Sequence, residues 1–391
     1  MSVEDEFEAA RAELLRWLFE DALPLWSTVG VDFEAGGFFE KLSPEGVPID
    51  EPRRARVVAR QIYSFATAER LGWKGPARDI VRHGINALFK HHLGPTGLVI
   101  PSVDRAGRVV RSEFDLYDHA FVLFGLAAAA KIGERPDEMA ARARLLLQDM
   151  RAGFAHPLGG FEEARPRTLP LKANPHMHLL EAALAWEELE PDGVWSALAD
   201  EMVDLCLTHF INPETGAVHE YFDGDWQRLT DYEGSVVEPG HQFEWAWLLM
   251  RWGLGRSDRG ALVTANRLTS LAEARGVQHG MALNVLSSDL TVRDSRKRLW
   301  SQTERMKAIS LRVQSSESLE VKLRGIKYGA LSALALFIEH PVRGCWWEYV
   351  DIDCVPVVEP ARTSSLYHIV GAILCAEEAQ EEIVGRRRRL S

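Results

Sequence analysis

Glu238-Pro-Gly-His-Gln-Phe-Glu-Trp-Ala-Trp247 opens a helix. Pro239 suits a first helical turn, where its missing N–H costs nothing. His241 and Glu244 stand at i and i+3, so both side chains leave one face of that helix. An imidazole and a carboxylate at a helix start, among Phe243, Trp245 and Trp247, can carry protons near neutral pH. The same residues would serve equally as satisfied polar groups in a capped core helix. The stretch does not decide between these readings, but its counterparts elsewhere in the chain bear on them.

Working outward, helical periodicity predicts helices near 5–22, 55–72, 77–92, 116–131, 136–152, 174–189, 193–210, 239–253, 258–275, 298–313, 317–339 and 363–380. Gly-led extended segments, such as Gly97-Leu-Val-Ile-Pro101 and Gly159-Gly-Phe-Glu-Glu163, fall between pairs of them. One polar residue near the start of every second helix gives Arg60, His119, His178, His241, Glu304 and His368. Their gaps are 59, 59, 63, 63 and 64 residues. An even period of this kind marks a repeat architecture. The expected fold is all-α: an (α/α)6 barrel of six helical hairpins, with short β-hairpins on the outer-to-inner loops. An open solenoid would show the same period. In the closed form, residues 1–391 make a single catalytic domain with a basic tail at 384–391. The long loops gather where the inner helices begin, and the polar residues converge there on one pocket. His176 and His178 point to opposite sides of their helix. His178 is taken as the one facing the pocket because it keeps the register, and Asn174 is taken as that helix's cap.

The composition limits the function classes. The net charge over 391 residues is −12, which does not suit a phosphate backbone, so no nucleic acid is expected. Cys206, Cys345, Cys354 and Cys375 are scattered without a CxxC pair, as in a reduced compartment. The acidic N-terminus lacks an apolar signal core, and no apolar run approaches the ~18 residues of a membrane span. A cytoplasmic monomer or homodimer, with no membrane partner, is the expectation.

The expected pocket wall is Arg60, Tyr63, His119, His178, His241, Glu244, Trp300, Gln302, Glu304 and His368. Dense hydrogen-bonding groups beside aromatic rings suit a small sugar. Histidines supply acid and base in the neutral range. Glu162, Glu348 and Asp351, on extended segments, read equally as solvated. Only His176/His178 approach metal-ligand spacing, and they diverge on one helix, so no metal is expected. No GxGxxG, GxxxxGK[ST] or GxSxG motif appears, so no nucleotide site or nucleophile elbow has support. Glu244 and Glu304 could instead be the carboxylate pair of a glycoside hydrolase. A helical-repeat binding scaffold is the non-enzymatic alternative.

Pro239-Gly-His-Gln-Phe-Glu-Trp245, Asn174-Pro-His-Met-His-Leu-Leu-Glu-Ala182, Trp300-Ser-Gln-Thr-Glu304, Tyr367-His368 and Ala59-Arg-Gln-Ile-Tyr63 resemble the N-acylglucosamine 2-epimerase superfamily, which includes cellobiose 2-epimerases and mannose isomerases. The resemblance spans nearly the whole chain and implies an (α/α)6 barrel. It implies that His241 and His368 are the catalytic pair and that Arg60, His178 and Glu244 position a sugar. Trp300, Gln302 and Glu304 fall where the family contacts substrate, and His119 is a softer match. It further implies proton transfer through an enediol, needing no cofactor. Glu244-Trp245 after the His241 motif looks most like the mannose isomerase branch, although Trp247 stands where that branch leads one to expect Arg. The expected reaction is D-mannose/D-fructose interconversion, with a sugar 2-epimerase as the alternative. Arg60 alone among the marked residues carries a fixed positive charge, which does not favour a sugar phosphate.

Overall fold

The computed structural model describes residues 2–94, 97–191, 193–311 and 325–390. The expected helix at 317–339 therefore lies partly outside the described residues, as do the side chains of the basic run from 384 onward.

The principal helices are α1 (Val3–Trp17), α2 (Ala55–Arg70), α3 (Ala77–Ala87), α4 (Leu116–Lys131), α5 (Pro136–Phe154) and α6 (Ala173–Glu187). They continue with α7 (Val194–Leu205), α8 (Pro239–Arg256), α9 (Arg259–Gly276), α10 (Leu299–Leu311), α11 (Ser332–Ile338) and α12 (Leu366–Leu390). Helix α2 packs on α4, α4 on α6, α6 on α8, α8 on α10, α10 on α12, and α12 returns to α2. That closed ring, flanked by the remaining helices, is the arrangement of an α/α barrel. The ring helices are buried on most of their faces, and where they bury polar residues, as α10 does with Gln302, Glu304 and Lys307, those residues are bonded to loops or to one another. Small residues let them approach closely: a Cβ at Gly125 on α4 would meet the Ala59 carbonyl of α2 at 2.9 Å. Between the ring and the flanking helices, large rings fill the core, for example Trp186 stacked on Trp195 with centroids 5.3 Å apart.

The long loops before the ring helices are laced to one another. Lys41–Leu42 pairs with Ala361–Arg362, and Arg53–Arg54 with Ser102–Val103. Leu171–Lys172 pairs with Tyr221–Phe222. Val236–Val237 joins Leu286–Ser287, and Lys297–Arg298 joins Tyr349–Val350. All these pairings are antiparallel. Two-residue strands are too short to stand alone. They hold because each sits beside a helix start, and they join five of the six neighbouring pairs of loops, leaving the loops before α4 and α6 unpaired with each other among the described residues.

Four of the loops are also fastened to the helix that follows. His119 Nε2 accepts the Val99 N–H at 3.1 Å, and His176 Nε2 accepts that of Phe161 at 3.0 Å. Gln242 Oε1 accepts the Val218 N–H at 2.7 Å, and Gln302 Oε1 accepts that of Ala282 at 2.8 Å. Both glutamines also donate to the carbonyl of the same loop residue. These four side chains satisfy buried backbone that would otherwise be costly to enclose. They fix the loops that carry the site.

Candidate active site

A cavity of about 170 Å³ opens among the starts of the ring helices and their loops. Arg60, His178, His241, Glu244, Trp300 and His368 line it, so six of the ten residues picked from the sequence meet there. The structure adds Tyr117, Asn174, Glu238, Arg298, Glu348 and Arg362 to the wall.

The other four are placed elsewhere. His119 and Gln302 are fully buried loop fasteners, and burial pushes the His119 imidazole down to about 4. His119 thus matches His176 in the repeat, not His178. The two lie on opposite helix faces, and an even spacing alone did not distinguish them. Glu304 is completely buried behind His368 and does not line the cavity. Tyr63 faces a different cavity at the far end of the barrel. Asn174 also differs from its expected role: helix α6 starts at Ala173 with Lys172 at the cap, which frees Asn174 to face the cavity.

His241 sits in the first turn of α8. Its Nδ1 lies 3.0 Å from Glu220 Oε1, on the loop that Gln242 fastens. Burial disfavours a charged imidazole there, but the carboxylates of Glu220 and Glu238 outweigh it and raise its pKa to about 10. His241 is therefore an imidazolium at neutral pH. His368, at the start of α12, is the opposite case. Burial, with the positive charges of Arg60 and Lys307, holds it well below the ordinary imidazole value. Its Nδ1 lies 2.7 Å from Glu304 Oε1, and Lys307 Nζ lies 2.6 Å from Glu304 Oε2. With Nδ1–H donated to Glu304, the Nε2 lone pair is left as a base. The Trp300 ring lies between the two imidazoles, with centroids 5.0 Å from His241 and 5.9 Å from His368. Gly240 makes room for that ring, since a Cβ there would overlap it.

The remaining wall presents unmet hydrogen-bonding capacity. Arg60 Nε, Asn174 Oδ1, Glu244 Oε1 and Arg298 Nε are buried without a partner in the described chain. Arg60 is held over the Phe121 ring at 4.0 Å, and it donates to Tyr117 Oη at 2.6 Å. His178, lowered to about 4 by burial, places Nδ1 3.2 Å from Glu181 Oε2. Glu348 is tied by the Arg362 N–H and the Ser365 hydroxyl, so it braces the loop before α12.

His178, Glu181 and Glu244 could each offer a ligand atom to a cation, all within 4.8 Å of one another. Lys307 Nζ already stands 3.9 Å from Glu181 Oε1, and Tyr367 Oη donates to that carboxylate. A second positive charge would compete with Lys307, so the donor set fits a metal poorly.

Glu220, Glu238, Arg298 and Arg362 were not picked out from sequence. All lie on extended segments, where the side-chain direction depends on pairing with the next loop. Glu238, at the head of the quoted stretch, had the one usable signal: it sits three residues before a titratable histidine.

Comparison with known proteins gives a consistent result. The family profile described as N-acylglucosamine 2-epimerase (GlcNAc 2-epimerase) matches residues 37–372. A "Mannose-6-phosphate isomerase" of Rhizobium meliloti (strain 1021) is 41% identical over 372 residues, covering 94% of this chain and 96% of that one. A "D-mannose isomerase" of Thermobifida fusca is 30% identical over 295 residues, covering 68% and 70%. The solved cellobiose 2-epimerase of Spirochaeta thermophila superposes with a TM-score of 0.86 at 20% identity, over 98% of this chain and 100% of that one.

Proposed function

Since the chain belongs to the N-acylglucosamine 2-epimerase family, and is thus a sugar isomerase or 2-epimerase, we propose that it is an aldose–ketose isomerase interconverting D-mannose-type and D-fructose-type sugars. We read its barrel as six helical hairpins in one catalytic domain, with the site at the end where the inner helices begin. The observation that carries the reaction type is the pair of imidazoles in opposite protonation states flanking Trp300 in one small polar cavity. Two titrating groups pushed apart in this way are suited to act as acid and base together.

In this reading the sugar opens with C1 and C2 between the two histidines. His368 Nε2 removes the C2 proton, and Glu304 holds the resulting imidazolium. His241, already charged, hydrogen-bonds O1 and stabilises the developing enediolate. His241 gives its proton to O1 and takes the one from O2, while the proton held on His368 returns to C1, which gives the ketose and restores both imidazoles. Arg60, Asn174, His178 and Glu244 meet the remaining hydroxyls, and Trp300 supports the C–H face. Every step uses groups of this chain, without a metal. Incubation with mannose, glucose and fructose in deuterated water, followed by NMR, tests this. Mannose giving fructose with deuterium at C1 supports it. Mannose–glucose exchange with deuterium only at C2 supports a 2-epimerase instead.

A second reading concerns the substrate's far end. Arg60, Arg298 and Arg362 all line the cavity, a richer positive wall than Arg60 alone. The Rhizobium relative's name points to a sugar phosphate. Against this, Glu238, Glu244 and Glu348 share the same wall. Comparing kcat/KM for mannose and mannose 6-phosphate separates the two substrates.

A further inference from the structure

The ring helices end on a second cavity, of about 260 Å³, at the opposite end of the barrel. A buried polar layer containing Glu181, Glu304, Lys307 and Tyr367 separates it from the site described above. The far cavity has an apolar interior with the rings of Phe124 and Trp247, and Ala127 and Ala128 leave space beside them. Ser310 lines it with a buried Oγ that has no partner in the described chain. At the exposed rim, Lys131 and Arg251 both engage Glu188, the latter at 2.6 Å; Arg70 makes no ion pair within 4 Å among the described residues, and Glu378 on the same wall feels its charge with those of Arg251 and Lys131, so cations outnumber carboxylates there by three to two. Lys307 belongs to both sides. It lines the far cavity, its Nζ lies 4.0 Å from the Trp247 ring centre, and it holds the Glu304 that holds His368.

We propose that this cavity binds a small organic anion with an aromatic or branched apolar body, and that its occupancy slows the catalytic cycle through Lys307. The anionic group meets Arg70, whose guanidinium makes no close ion pair among the described residues, and Ser310 Oγ gains a hydrogen-bond partner. The body settles against Phe124 and Trp247, where it displaces the Lys307 ammonium from the indole face. Glu304 then loses its counter-charge, and His368 loses its fixed orientation. The binding half stands on the cavity alone. The kinetic half rests on the role proposed above for His368.

Benzoate is the probe, and benzamide is its neutral counterpart. Calorimetry on the full-length protein, with and without saturating mannose, should show one benzoate site that the sugar does not displace. Benzamide should bind about tenfold more weakly or not at all. Ala128→Trp fills the cavity and should abolish binding, and Arg70→Ala should weaken it about tenfold. Neither residue touches the sugar site, so both variants should keep basal turnover. Benzoate should lower kcat of the wild type about fivefold or more, leave KM unchanged, and do nothing to Ala128→Trp. No saturable binding up to about 50 mM, or binding indifferent to Ala128→Trp, overturns the site. Equal binding of benzamide overturns the anion assignment. Binding with unchanged kcat overturns the coupling. Because the binding arm needs no turnover, it stands even if none of the tested sugars reacts.

Discussion

Glu304 and His368 are 64 residues apart in the chain, yet the carboxylate Oε1 lies 2.7 Å from the imidazole Nδ1, in a site where neither side chain is more than 8% exposed. Glu304 is therefore a positioning residue. Glu304→Gln keeps the shape and removes the charge that steadies a protonated His368. The expected result is kcat lowered by about 10–10²-fold with KM little changed, read from steady-state kinetics. A KM increase at constant kcat would mean that Glu304 serves sugar binding instead.

The histidine pair itself should be more sensitive. His241→Asn and His368→Asn should each lower kcat by about 10²–10⁴-fold, the usual cost of a general acid or base, with circular dichroism unchanged. Near-wild-type turnover in His368→Asn on every active sugar would end its assignment as the base.

His176 should affect folding rather than rate. It is completely buried between the Lys172 carbonyl and the Phe161 N–H, so His176→Ala leaves two backbone groups unmet. Denaturant unfolding should show a loss of about 1–3 kcal/mol, with kcat of the folded protein retained. A large fall in kcat without loss of stability would bring His176 into the chemistry.

The pH dependence follows from the two opposite shifts. His368 must be neutral to act, and its folded pKa is depressed, so activity should fall only as pH drops through a value well below 6.5. His241 must be charged, and its folded pKa is raised to about 10, so activity should fall as pH rises through that value. A plot of log(kcat/KM) against pH should show a broad plateau across neutrality. A single inflection near the ordinary histidine value would mean that the dyad titrates as free imidazoles.

Metal removal should have no effect. Lys307 already supplies positive charge beside Glu181, so turnover should survive EDTA. Loss of rate that a divalent ion restores would place a cation at His178, Glu181 and Glu244.

The sequence showed most clearly what periodicity controls. The ring helices begin close to where their apolar spacing predicted, because a helix buried on all sides leaves little choice of residue. Arg60, His178, His241, Glu244, Trp300 and His368 could be found because all stand near helix starts, where the fold brings them together. His119 was misplaced because the fastening His176 and the cavity-facing His178 stand only two residues apart on α6, and even spacing does not say which of the two His119 matches. Arg298, Arg362 and Glu220 were missed for another reason. Their directions are set by strand pairings between distant loops, such as Lys297–Arg298 with Tyr349–Val350, which no local pattern encodes. Lys307 carried no signal in the sequence and Tyr367 entered only as the neighbour of His368, and only the assembled ring shows that they form the layer beneath the site.

The fastening of the loop before α8 to its helix also sets where the chain can change length. Gln242 grips Val218 at both its N–H and its carbonyl, and Glu220, two residues further on, meets His241, the neighbour of Gln242. Extra residues in the turn before Val218 would bulge outward and leave that meeting intact. A single residue inserted between Val218 and Glu220 would move the carboxylate relative to that grip and strip His241 of its partner. The loop before α8 can thus change length on one side of its grip and not on the other.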